Sequence, residues 1–290
     1  MICRTDPDYY RAFNCLALAA HQTDSSIIAE AIMSNHIHVC ARSNDISTFI
    51  KNFRYAYCRY FNKKYYRRGS LGEKNCFISE IEGFHHFLTA ICYVLRNSVH
   101  HGVTSTPFGY RHCSANALFM KDLGQTPQQQ NLKIQAYYKY LPRDAEFPSK
   151  FKMSSEGVFR RESVLDIADA EHYFGTARSY MYYMNRLSSE EWTKEQEKDM
   201  NGKSYITLNT IEAPYQDDSC AIQNMIHNEH GRNIMRVSDI DLCTLIDTQF
   251  LPSIGKESIF QLNDTQRNRL MQRLRSELHC PEKQLRRCIF

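Results

Sequence analysis

A chain of 290 residues with 42% hydrophobic and 23% charged side chains is long enough to bury a real core, which excludes fibrous, wholly disordered and small disulfide-stapled classes. Apolar runs such as Ile27 to Met33 are broken by Glu30 and fall far short of the roughly 20 residues a membrane span needs. Lys and Arg outnumber Asp and Glu by 36 to 32, and the resulting +4 selects no partner by itself; its distribution along the chain says more.

The opening residues, Met1-Ile2-Cys3-Arg4-Thr5-Asp6, carry no basic-then-apolar targeting pattern, so the eleven cysteines are expected in a reducing cytosol. Their number is odd, no CxxC occurs and they are widely scattered, which predicts small buried hydrophobes over zinc fingers or disulfides. From Asp8 to His21 the apolar spacing and the plentiful Ala predict a helix of three turns. After the polar QTDSS turn, Ile27 to Ile32 and Ile37 to Ala41 read as two strands meeting at a tight Ser34-Asn35 connection. Ile46 to Tyr66 is strongly helical and ends before Gly69.

That helix and the loop after it carry Lys51, Arg54, Arg59, Lys63, Lys64, Arg67, Arg68 and Lys74, interleaved with Phe53, Tyr55, Tyr57, Tyr60, Phe61, Tyr65 and Tyr66. Such a stripe can neutralise phosphates and stack bases; the other reading is a helix with an aromatic core face and a solvated basic one. A further helix spans Phe84 to Asn97. Helix, two strands, helix and helix fall one strand short of a small α+β sandwich, and only Met1 to Arg4 remain to supply it.

The polar stretch Gly124 to Asn131 is the first domain boundary, dividing residues 1–123 from a mainly helical region at 132–290. Within that region 131–143 and 162–191 read as helical, Glu190 to Ser204 as charged and exposed, and 264–290 as a helix-turn-helix about Cys280-Pro281. Arg267, Arg269, Arg273, Arg275, Lys283, Arg286 and Arg287 make that pair basic: a DNA-reading element, or a helical hairpin with ordinary solvated charges. His227 and His230 form a second histidine pair whose spacing suits a turn as well as a metal.

His36 and His38 are the sharpest chemical feature. Two residues apart on a strand, they point to one face about 6.6 Å apart, so both imidazoles can converge on one divalent ion. Tyr93 and Asn97, four apart on a helix, share a face there, and a phenolic oxygen and an amide carbonyl can complete the site. Nucleophile, Lewis acid and neutral third ligand suit phosphodiester transesterification, with Tyr93 attacking phosphorus and a 3′ hydroxyl leaving. Glu30 and Glu80 are the reserve ligands.

SNHIHV at Ser34 to Val39, RYFNKKYYRRGSL at Arg59 to Leu71 and YVLRNSVHHGV at Tyr93 to Val103 together resemble the single-tyrosine HUH transposases, most closely the REP-associated tyrosine transposases, over roughly residues 5–118. The resemblance implies a ferredoxin-like antiparallel sheet backed by helices, a monomer acting on single-stranded DNA beside a hairpin, and a need for Mg²⁺ or Mn²⁺. It assigns His36 and His38 as paired metal ligands, Tyr93 as nucleophile and Asn97 as the further ligand. The chain has Ser34 where members commonly have proline, Asn97-Ser98-Val99 where they have Asn-Pro-Val, and GEKNCF after the RRG-x-L signature without the usual aromatic, Gln and Arg. It also has only Ile2-Cys3-Arg4 where they have a strand with a Thr-x-Arg stretch. Two further readings are a DNA-binding relative that no longer cleaves, and a metal-dependent hydrolase of RNA or nucleotides.

Overall fold

Asp8 organises the start of the chain. Its carboxylate accepts the backbone N–H groups of Arg4 and Thr5, both at 2.9 Å, which satisfies donors that the first turn of a helix leaves unpaired. Helix α1 (Asp6–Gln22) follows, two residues longer at its start than the apolar spacing predicts. The computed structural model describes residues 1–72, 76–101, 103–104, 106–125, 138–143, 145–185, 225–227, 233–235 and 237–290.

Strands β1 (Ser26–Ile32) and β2 (Ile37–Arg42) pair antiparallel, with Ala31 opposite His38, Ile32 opposite Ile37 and a bulge between Ile27 and Ala29. Helix α2 (Ile46–Lys64) is capped by Asp45, which accepts the Thr48 N–H at 3.0 Å. Residues opposite one another in an antiparallel pair share a face, so His38, Cys40, Ala29 and Ala31 lie together. On that side stands α3 (Phe84–Leu95), whose Leu88, Ile91, Cys92 and Leu95 join Ala29, Ala31 and Cys40 in one buried cluster. Ile32, on the opposite face, packs with Phe13 of α1 and with Tyr57 and Phe61 of α2.

The helix expected to run to Asn97 stops at Leu95. Arg96 (φ −89°, ψ 5°) lies outside the helical basin, and α4 (Asn97–His100) begins after it. The Arg96 N–H still bonds Cys92 O and the His100 N–H bonds Arg96 O, both at 2.9 Å, so the chain keeps its course through the break.

The outer edge of β1 is where a further strand would lie, and no strand pairs there among the described residues. An irregular segment fills the place. The Ile32 N–H donates to His112 O (2.9 Å), the Ser114 N–H to Glu30 O (2.9 Å), the Glu30 N–H to Ser114 Oγ (2.8 Å), and the Asp166 N–H to Ile27 O (2.8 Å). Backbone groups that a missing strand would orphan are thereby paired. Met1 to Arg4 do not supply that strand: Ile2 and Cys3 instead donate their N–H groups to Ser34 O at 2.8 and 3.0 Å.

The core continues past the polar stretch at 124–131. Phe151, Met153 and Phe159 join the α1/α2 cluster, while helices α5 (Arg161–Val164), α6 (Ile167–Phe174) and α7 (Ala177–Asn185) bring Ala170, Phe174, Tyr180 and Met184 to the α3 cluster. A hairpin of β3 (Met225–His227) and β4 (Asn233–Met235) precedes α8 (Asp239–Leu245). A π-helical turn, Ile246–Phe250, follows α8. The two C-terminal helices form as expected, α9 (Asp264–Leu278) and α10 (Glu282–Ile289). The left-handed residue between them is His279 (φ 51°), in the place a glycine commonly takes. Leu242, Ile246, Leu274, Leu285 and Ile289 form their own buried cluster, with Met1 packed against it. The whole is a mixed α+β fold: a small antiparallel sheet with helices at the N-terminal end and a mostly helical C-terminal region.

Among the described residues no helix is long and apolar enough to cross a membrane. Cys3, Cys15, Cys40, Cys92, Cys113, Cys243, Cys280 and Cys288 are buried, as their scatter predicts. Burial pushes the Cys15 thiol up to about 11 and the Cys113 thiol up to about 12, which leaves these two unreactive near neutral pH.

His112 ties this region to acid stability. Its ring stacks on Tyr9 at 4.0 Å and meets Asp6 Oδ1 at 3.1 Å, yet burial outweighs that carboxylate and holds the imidazole down at about 4. The unfolded chain therefore takes up the proton first as pH falls below about 6.5, and folding loses stability from there down to about 4. Asp6 works in a lower window, since its His112 hydrogen bond lowers its pKa and that stabilisation is lost only as the carboxylate protonates. Urea titrations at pH 7 and pH 4.5 should show a loss for the parent that shrinks in His112→Gln by up to about 3 kcal/mol; equal losses would refute the assignment.

Candidate active site

The Ser34-Asn35 turn and the end of α3 converge on one half-buried cluster of rings. The His36 and His38 ring centroids are 4.9 Å apart, and His38 meets the Tyr93 ring edge-on at 4.9 Å with an interplanar angle of 81°. His36 Nε2 lies 2.9 Å from Asn97 Oδ1. The four residues that the sequence singles out are thus brought together. The break at Arg96 leaves Tyr93 in α3 and Asn97 as the first residue of α4, so the pair is set by that junction and by more than a single helical step.

Two histidines join the cluster that sequence reasoning did not assign. His101 lies 4.8 Å from His36, centroid to centroid, and His100 lies 6.4 Å from Tyr93 and 5.1 Å from His101. Their signal was in plain view, a His-His doublet seven and eight residues after Tyr93. Four imidazoles sharing one half-buried place disfavour each other's protonation. Burial, then His36, His101 and His100, hold His38 down to about 3; burial, then His36 and His100, hold His101 to about 3 as well. Burial also lowers His36, against the pull of Asn97, and burial raises the Tyr93 phenol, so at neutral pH His36, His38 and His101 are neutral and the phenol keeps its proton.

His36 is held by a hydrogen-bond partner at each ring nitrogen. Nδ1 faces Asn35 Oδ1 at 2.8 Å, and a neutral imidazole has one N–H to give. With the hydrogen on Nε2 the ring donates to the Asn97 carbonyl oxygen, the bond that works against burial at His36. Asn97 is fully buried and its Nδ2 has no hydrogen-bond partner. Among the described residues no three His, Cys, Asp or Glu side chains form a group arranged to hold an ion. The side chains gathered here that carry metal-binding atoms and that the sequence singles out are the imidazoles of His36 and His38 and the amide of Asn97.

Neither reserve carboxylate belongs to this donor set. Glu30 pairs with Val39, whose side chain lies on the sheet face opposite His38, and it is buried in an ion pair with Arg161 at 2.5 Å. Glu80 is exposed on the loop before α3. His227 lies in β3, and His230 is outside the described residues.

The basic stripe of α2 divides into two groups. Lys64 is drawn inward to buried Asp8 at 2.6 Å, alongside the hydroxyls of Tyr60 and Tyr65, and so serves the core. Arg67 closes the loop after α2 through Asn62 Oδ1 and Ser70 O, and Arg54 reaches Leu71 O at 3.4 Å. Lys51, Arg59, Lys63 and Arg68 are exposed, with Arg59 lying over the Tyr55 ring at 5.4 Å. Tyr55 and Tyr66 are 64% and 67% exposed, while Tyr57, Phe61 and Tyr65 are core. The aromatic face and the solvated basic face are both real. In the C-terminal pair, Arg273 and Arg286 hold Glu277 and Glu282 at 2.7 and 2.8 Å on the surface, and Arg287 turns inward onto Asp239.

Comparison of this chain with protein-family models, with curated proteins and with solved structures finds no match.

Proposed function

We propose that the chain is a metal-dependent single-stranded DNA endonuclease and strand transferase, acting beside hairpins through a phosphotyrosine on Tyr93. The observation that carries this reading is the packing of Tyr93 edge-on against His38 while His36 faces the Asn97 oxygen, a tyrosine and a two-imidazole donor set in one half-buried place. The resemblance in three motifs to REP-associated tyrosine transposases points the same way. On this reading the core is a ferredoxin-like HUH sheet cut short, with residues 112–114 standing where a further strand would pair.

His36, His38 and Asn97 would hold Mg²⁺ or Mn²⁺, which supplies positive charge against the scissile phosphate. Tyr93 Oη attacks phosphorus; the new bond is Oη–P, the bond broken is P–O3′, and the leaving 3′ oxygen is protonated. The phenol begins protonated, and the proton it gives up balances the one taken by the leaving 3′ oxygen. The exposed cations of α2 and the exposed rings of Tyr55 and Tyr66 receive the strand, phosphates on the former and bases on the latter.

Mixing the protein with labelled hairpin-bearing single-stranded DNA and Mn²⁺ should give a band of retarded mobility that survives denaturation. DNA binding without that band would return the protein to the class of non-cleaving relatives, and released product without an adduct would make it a hydrolase. The Lys63→Ala/Arg68→Ala pair should lower the slope of log binding constant against log salt by up to about 1.8 if both meet duplex phosphates. Lys64→Ala should leave that slope alone, because its charge is spent on Asp8; a slope unchanged in the double variant would make this face merely solvated.

A further inference from the structure

Ser34 holds together three distant parts of the chain. Its carbonyl oxygen accepts the N–H groups of Ile2 and Cys3, and its hydroxyl donates to Asp239 Oδ2 at 2.9 Å. Asp239, the first residue of α8, receives three more donors from α10: Arg287 Nε at 3.0 Å, Arg287 Nη2 at 3.2 Å and Gln284 Nε2 at 3.1 Å. Gln284 is itself buried and also donates to Val237 O at 2.8 Å. A carboxylate gripped from that many directions has one orientation, and it presents one oxygen to the turn between β1 and β2. The same turn is closed by the Met33 N–H on His36 O at 2.8 Å, so whatever fixes Ser34 fixes the backbone from which His36 projects.

We propose that Asp239 is a positioning residue of the active site, which with Arg287 and Gln284 locks the Ser34 turn and so sets where His36 points. The proposal rests on His36 being part of the functional cluster, as argued above. It gives the C-terminal helices a task other than reading DNA, as the outer wall of the site. The charge of Arg287 is felt at both His36 and His101, which puts this network within electrostatic reach of the rings. A serine at position 34 supplies a hydroxyl to this network that a proline there would not.

Calorimetric titration with Mn²⁺ and the ¹⁵N shifts of the His36 ring in metal-free protein test it on the full chain. Asp239→Ala should weaken Mn²⁺ binding on the order of tenfold, in line with the effect of outer partners on metal ligands, and should move the His36 ring shifts. Ser34→Ala should act in the same direction, and the double variant should be no worse than Asp239→Ala, because the two removals cut one connection. Asp239→Asn keeps an oxygen for the Ser34 hydroxyl and should fall between parent and Asp239→Ala. Arg111→Ala, which breaks an exposed pair with Glu156, should bind Mn²⁺ as the parent does. A folded Asp239→Ala protein with parental Mn²⁺ affinity and parental His36 shifts overturns the proposal. Should Asp239→Ala not fold, Ser34→Ala decides on the same two measurements. If the parent binds no Mn²⁺, the metal reading fails on its own, and unmoved His36 shifts in Ser34→Ala then overturn the positioning role separately.

Discussion

Tyr93→Phe is expected to remove DNA cleavage and the denaturation-resistant adduct, a loss on the order of 10⁴-fold or more, because the nucleophilic oxygen is deleted and no substitute takes its place. The fold should survive the change. Tyr93 is half-buried, its ring contact with His38 is made by carbon, and phenylalanine keeps that contact. Hairpin DNA binding should be parental, which separates lost chemistry from lost recognition. Mass spectrometry of a digest of the reacted parent should put the nucleotide on the peptide containing Ile91-Cys92-Tyr93-Val94. Other tyrosines are differently employed: the Tyr57 hydroxyl bonds Ile2 O at 2.6 Å, the Tyr65 hydroxyl bonds Asp8 at 2.6 Å, and Tyr55 and Tyr66 stand out in solvent. An adduct on any of these, or cleavage by Tyr93→Phe at the parental rate, would falsify the mechanism.

His36→Ala/His38→Ala is expected to abolish measurable Mn²⁺ binding, at least about 100-fold, with the protein still folded. Both rings are only partly buried, and the neighbouring core of Ala29, Ala31, Ile91 and Leu95 does not depend on them. Asn97→Ala should cost less, a neutral amide being a weaker donor than two imidazoles. Acid should affect binding late. Metal and proton compete for the same lone pair, and a ring held down to about 3 leaves that pair open well below pH 6. With both rings held below the ordinary histidine value, Mn²⁺ affinity should fall less between pH 7.5 and pH 6 than ordinary histidines would make it fall. Unchanged affinity in the double variant, or a steep fall through pH 6.5 in the parent, would remove these two residues from the ligand set.

The local pieces of this arrangement were legible in the residues. Apolar spacing located α1, α2 and the two C-terminal helices, and the histidine pair with its turn located β2, because each is decided by neighbours within a few positions. The interruption at Arg96 was not legible. Nothing in LRNSV is a helix breaker of proline strength, and the conformation there is held in tertiary surroundings where Arg96 is buried and reaches Tyr183 O at 3.5 Å. The partner of the outer edge of β1 was hidden for a related reason: residues 112–114 pair with it through a few backbone bonds, with too little alternation to read as a strand. Basic residues were visible by position, but whether a charge faces solvent or a buried acid, as in Lys64 on Asp8, depends on a residue 56 places away. Arg287 is the extreme case, read as a DNA contact by its company and found on Asp239, 48 places earlier.

The union of the first residues with the last helices has a consequence for the order of synthesis. Arg4 is 1% exposed, its guanidinium shared between Asp247 at 2.6 Å and Cys288 O at 2.8 Å, and Ser34 waits on Asp239. A ribosome adding roughly 5–20 residues per second finishes the histidine turn long before it makes these partners. During that interval a nascent chain holds the Tyr93 helix and both histidines but not the contacts that seat Arg4 and Ser34. On the proposed function, competence would be gained late, when the last helices dock, and a chain cut short by premature termination would carry His36, His38, Tyr93 and Asn97 without the contacts of the last helices.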